Sequence, residues 1–169
     1  MTTPFVAILL ASDADLPQVE PALDTLSKFK IAYEVKVTSA HRTPDILHQY
    51  VKDADKRGCC AFICAAGMAA HLAGAVAANT VRPVIGVPID ASMNGLDALL
   101  STAQMPGGIP VATMAIGKIG AKNAAYLAAQ IIALSDAELA GRLREDRLNN
   151  ASAVQERDAA LQARLAQKD

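Results

Sequence analysis

The chain reads as an α/β protein: a three-layer α/β/α sandwich around a five-stranded parallel sheet. Three observations predict this. Apolar runs of strand length alternate along the chain with segments of helical periodicity. Several of these runs are apolar throughout instead of alternating, as expected of strands covered on both faces. Proline, glycine and short polar clusters fall where one period gives way to the other.

In order, residues 5–11 form the first strand, and the loop Ser12-Asp13-Ala14-Asp15 follows. A helix begins near Pro17 and carries Val19, Ala22, Leu23 and Leu26 on one face. Residues 32–37 are the second strand, leading into Ser39-Ala40-His41-Arg42-Thr43-Pro44-Asp45. Thr43 then Pro44 reads as N-cap then first helical residue, because proline lacks an N–H that the first turn does not use. Ile46, Leu47, Tyr50, Val51 and Ala54 give that helix its apolar face, and Gly58 ends it.

Strand three spans 60–66 and runs into Gly67-Met68-Ala69-Ala70-His71-Leu72-Ala73-Gly74, with an alanine-rich helix expected over 69–78. Strand four is expected to stop at Pro88. A short helix over 96–103 precedes residues 104–110, a loop with two glycines and two prolines. Strand five is expected over 111–116 and leads through Gly117-Lys118-Ile119-Gly120 into a helix with Ala124, Leu127, Ala128, Ile131 and Ile132 on one face. Residues 136–169 turn to Ala, Leu, Glu, Arg and Gln with sparse apolar positions. They read as one or two peripheral helices with a frayed end. The whole, 1–169, reads as one domain with that C-terminal extension, its sheet in flavodoxin-like order.

Composition bounds the function. At 169 residues the chain is long enough to bury a full core, and at 52% hydrophobic but 4% aromatic that core is aliphatic and alanine-rich. Small side chains bury little area each, which favours an oligomer. Sixteen basic against seventeen acidic residues, with no basic block, argue against nucleic acid or an anionic membrane as partner. The first apolar run is too short for a signal peptide or a membrane span, so a cytoplasmic protein is expected. Cys59, Cys60 and Cys64 form no Cys-x-x-Cys pair, and with His41, His48 and His71 as the only histidines no metal-ligand spacing occurs. Buried reduced thiols are expected, and no metal.

In a parallel sheet of this kind, ligands bind beyond the carboxyl ends of the strands. The loops 12–15, 39–42 and 66–71 all end there. His41 and Arg42 sit at a helix start, where an imidazole, a guanidinium and the Ser39 hydroxyl make an anion site with an acid/base beside it. Arg42 can hold a phosphate bidentately. Asp15 suits ribose hydroxyls and equally suits a helix N-cap. Gly67 lets a flat ring approach the backbone. His71 stays open between packing at a subunit contact and a place in the site.

Ser39-Ala40-His41-Arg42-Thr43-Pro44-Asp45, Ala69-Ala70-His71-Leu72 and Gln104-Met105-Pro106-Gly107-Gly108-Ile109-Pro110-Val111, in that order, resemble the class I N5-carboxyaminoimidazole ribonucleotide mutases of purine biosynthesis. The Ala115-Ile116-Gly117-Lys118 segment and the helix after it fit the same pattern, and the resemblance covers most of the chain. It implies an octamer with active sites shared between subunits, and no metal or organic cofactor. It also implies an isomerase that moves a carboxylate from the exocyclic nitrogen of an aminoimidazole ribonucleotide to its ring carbon. In that reaction His41 shuttles the proton, Ser12, Asp15, Ser39 and Arg42 bind ribose and phosphate, and Gly67, Ala70, His71 and Leu72 line the pocket. Residues 104–110 read as its lid.

Class II relatives, which carboxylate the aminoimidazole ribonucleotide directly with carbon dioxide, carry lysine where Arg42 stands and an Arg-Ser-Asn pattern in the third loop. Class I is therefore the expectation. The chain departs from the pattern at Ala11, Ala14, Met68 and Ala73, so a silent ribonucleotide-binding paralogue is the second reading. A phosphoacceptor receiver domain shares the fold, with Asp13, Asp15 and Lys118 in place, but lacks an aspartate at the end of strand three, where Ala65-Ala66-Gly67 stands.

Overall fold

The computed structural model describes residues 4–166. They fall into two units that divide after Ile131. In the first, β1 (Phe5–Leu10), β2 (Ala32–Val37), β3 (Cys59–Gly67), β4 (Val84–Ile89) and β5 (Ala112–Thr113) pair in parallel in the order β2-β1-β3-β4-β5. This is the flavodoxin-like order, with the switch point at β1 and β3. The connecting helices are α1 (Leu16–Lys28), α2 (Pro44–Lys56), α3 (Leu72–Ala77), α4 (Leu96–Ala103) and α5 (Gly117–Ala133).

Alternation along the strands separates two cores. Ala7, Leu9, Phe62 and Cys64 join Leu47, Val51 and Ala54 of α2 and Leu72 and Val76 of α3 in one cluster. Val6, Ile8 and Ile63 point to the opposite face and are equally buried. There α1 and α5 meet through Phe29 and Tyr126, whose rings pack edge-on at 5.4 Å. Alanines 121, 124, 125, 128 and 129 bring α5 in closely. The three cysteines are unbridged, and burial pushes the Cys59 thiol up to about 11 and the Cys64 thiol higher, so neither is a ready nucleophile.

β1 ends one residue early and β3 runs one residue longer at each end, and three elements differ by more than one residue. β4 continues through Pro88 to Ile89, because β5 pairs only with Ile85 and Gly86 and asks for no N–H farther along that edge. β5 is two residues long instead of spanning 111–116. The chain must leave the sheet early, since Gly120 lies so close to the Ala115 carbonyl that a Cβ there would sit 1.6 Å from its oxygen. α3 starts at Leu72 and not at residue 69, because Met68 turns to φ +56° and the Ala69 carbonyl accepts the His71 N–H at 2.8 Å.

The second unit holds a single 30-residue helix, α6 (Ala137–Ala166). The Asp136 carboxylate accepts the Leu139 N–H at 2.9 Å and caps it. The expected fraying of the last residues, 167–169, lies outside the described residues.

Candidate active site

Each loop at the carboxyl edge is built by its own local chemistry. After β1, Ser12 is extended and its hydroxyl accepts the Ala14 N–H at 3.2 Å, which caps the single 3-10 turn Asp13–Asp15. Asp15 occupies the N-cap position of α1, yet its carboxylate makes no capping hydrogen bond. The side chain is left for other partners. Desolvation holds the Asp15 carboxyl above the ordinary aspartate range, the Asp13 charge adds to the rise, and a hydrogen bond with the Ser12 backbone partly offsets both.

The loop after β2 is tied to itself. The Thr43 hydroxyl accepts the Ser39 N–H at 2.9 Å and lies 3.2 Å from the Thr38 hydroxyl, so it does not cap α2 as its position suggests. The Ser39 hydroxyl accepts the N–H groups of His41 (3.3 Å) and Arg42 (3.1 Å). These bonds present both side chains outward at the start of α2. Among the described residues the Arg42 guanidinium forms no ion pair. A planar cation without a carboxylate partner is suited to an incoming anion.

The loop after β3 begins at Gly67, which packs so near Ala91 that an added Cβ would come within 2.8 Å of the alanine Cβ. His71 stands at the N-cap position of α3 and makes no capping bond. Its Nδ1 instead lies 2.7 Å from His41 Nε2, with the two rings crossed at 85°. One nitrogen donates and the other accepts, so the two tautomers are complementary.

The three loops enclose a pocket of about 420 Å³. Ser12, Asp15, Ser39, His41, Arg42, Gly67, His71 and Leu72 all line it. Ala70 does not; it is buried in the core cluster beneath. The lining also includes Ala40, Ala66, Ala69 and Ala91, and with them Ala11 and Met68, which the sequence marks as departures from the family pattern and not as site residues. The alanines carry no chemical signal. Ala91 follows β4 and was reachable from topology alone, because that strand ends at the same edge. No residue of 104–110 lines the pocket within one chain. Met105 lies over Gly74 of α3, and Ile109 packs on the core cluster.

Comparison with known proteins finds relatives that span most of the chain. The family model described as AIR carboxylase matches residues 5–153. The N5-carboxyaminoimidazole ribonucleotide mutase of Bacillus subtilis is 49% identical over 154 residues, covering 90% of this chain and 95% of that protein. The protein of the same name from Pseudomonas aeruginosa is 48% identical over 150 residues, or 88% and 92% of the two chains. Among solved structures, Treponema denticola PurE superposes with a TM-score of 0.83 at 30% identity, covering 94% of this chain and 98% of that one.

Proposed function

The chain belongs to the AIR carboxylase family, and we propose that its pocket carries out the N5-carboxyaminoimidazole ribonucleotide mutase reaction with His41 as acid and base. The substrate's N–carboxylate bond breaks to release carbon dioxide while His41 gives a proton to the exocyclic nitrogen. The ring carbon then attacks carbon dioxide, and the proton it sheds returns to His41. Protons and carbon balance, and the product is the 4-carboxy-5-aminoimidazole ribonucleotide. An imidazole suits both transfers near neutral pH.

Arg42, Ser39 and Ser12 bind the phosphate and ribose in this reading, and Asp15 accepts from ribose hydroxyls. Gly67, His71 and Leu72 line the ring end, and Ala70 acts from beneath by packing. The observation that carries the reading is the meeting in one pocket of His41, His71 and Arg42, whose guanidinium has no ion-pair partner among the described residues.

Retention of carbon dioxide needs a closed site, and a pocket without a lid of its own supports completion by a neighbouring subunit. Met93, Leu96, Leu100 and Ile119 expose large apolar side chains that further support an oligomer, eight subunits being what the resemblance implies. A cytoplasmic location is part of the same reading; among the described residues no helix is long and apolar enough to cross a membrane.

Purified protein given the N5-carboxylated ribonucleotide, without added bicarbonate, should form the ring-carboxylated product. Formation only from aminoimidazole ribonucleotide and carbon dioxide would mean the class II reaction. Binding without turnover would mean a silent paralogue.

A further inference from the structure

Met68 has φ +56°, in the left-handed region that side chains other than glycine rarely adopt. Its neighbours leave the backbone no slack. On one side Gly67 pairs with Ile89 and packs against Ala91. On the other the His71 N–H closes a tight turn onto the Ala69 carbonyl. Core packing does not offset the strain, because the Met68 side chain is 60% exposed. It lines the pocket that holds His41, where the remaining apolar lining is alanine and glycine apart from Leu72, itself 1% exposed. The pocket thus presents one large, flexible apolar side chain to whatever enters it.

We propose that Met68 contacts the substrate, its thioether lying against the flat ring of the bound aminoimidazole ribonucleotide. The identity of that ring rests on the mutase reading above. A polarizable, unbranched thioether adapts to an aromatic ring and interacts with it favourably, and covering it on binding removes apolar surface from water. A strained residue that stays exposed until ligand arrives is where local strain serves binding.

The test compares the unsubstituted protein with Met68→Gly and Met68→Leu. The Kd for 5-aminoimidazole ribonucleotide is measured by calorimetry, and steady-state kinetics use the N5-carboxylated substrate. Met68→Gly relieves the backbone, so Tm should rise by about 2–4 °C. Kd and KM should each rise about five-fold while kcat changes less than about two-fold. Met68→Leu keeps the bulk at the strained position and should hold Kd within about two-fold. An unchanged or tighter Kd in Met68→Gly overturns the proposal, since a purely structural Met68 changes only Tm. Ribonucleotide binding without turnover in the unsubstituted protein overturns the mutase reading alone, and the Kd comparison still decides Met68. No ribonucleotide binding at all overturns both.

Discussion

His41 Nε2 lies 2.7 Å from His71 Nδ1, joining residues 30 apart in the chain across the loops that follow β2 and β3. The bond needs one N–H and one lone pair, so the tautomer of either ring is tied to that of the other.

Replacing His41 with Asn should leave the fold intact and KM within a few-fold, while kcat falls by on the order of a hundredfold or more, the usual size of a general acid–base contribution. Steady-state kinetics with the N5-carboxylated ribonucleotide read this directly. Near-normal turnover would make His41 a structural residue.

His71→Asn should lower kcat by about tenfold, since the partner ring loses its fixed tautomer but keeps its chemistry. The two substitutions should not add. The double variant should turn over close to the rate of His41→Asn alone, because His71 acts through His41. Multiplicative losses would show that the two rings act independently.

Asp15 carries a stability cost that is open to measurement. Its folded pKa is raised, first by desolvation, so the fold favours the protonated form. The cost is absent below the ordinary value of 3.8, grows as pH climbs through the raised range, and is constant above it. Asn keeps the shape and carries no charge to desolvate, so Asp15→Asn should raise Tm by about 1–2 °C at pH 7 and by nothing at pH 3. In the reading that gives Asp15 the ribose hydroxyls, ribonucleotide affinity should fall at the same time, a trade of stability for binding. A gain that persists at pH 3 would assign the effect to helix capping instead.

Glu34 has the opposite sign. The Arg57 guanidinium, bonded to it from the C-terminal end of α2, holds its carboxyl below the usual range, and Tyr50 donates to it at 3.0 Å. That contribution is fully present above about pH 4.5 and is lost as pH falls through the lowered value. Glu34→Gln should lower Tm by about 1–2 °C at neutral pH and leave it unchanged near pH 2, modest because the pair is partly exposed. Equal losses at both pH values would point to packing.

The exposed Met93, Leu96, Leu100 and Ile119 predict a stable oligomer. Light scattering at micromolar concentration should give a mass several times that of one chain, eight times in the octameric reading. A stable, fully active monomer would reject both the assembly and a site completed by a neighbour.

Much of this protein is written in local pattern. The bounds of β2 and α4, Pro44 as the first residue of α2, and the parallel sheet all follow from period, caps and apolar runs, because each depends on residues close in sequence. The convergence of Ser12, Asp15, Ser39, His41, Arg42, Gly67, His71 and Leu72 was legible through topology, since every βα loop of such a sheet opens at one edge.

Tertiary structure decided the rest. Pro88 stays in its strand only because β5 ends early, and β5 ends early only because Gly120 packs on the Ala115 carbonyl. Asp15 and Thr43 stand at N-cap positions without capping: Asp15 lines the pocket, and the Thr43 hydroxyl is drawn to Ser39 and Thr38, contacts that helix signals do not encode. Met68 bends α3 short, and the pairing of His41 with His71 is invisible until two loops are brought side by side. Periodicity records what each residue prefers among its neighbours along the chain. Contacts between loops depend instead on distances across the sheet, and those exist only once the strands have paired.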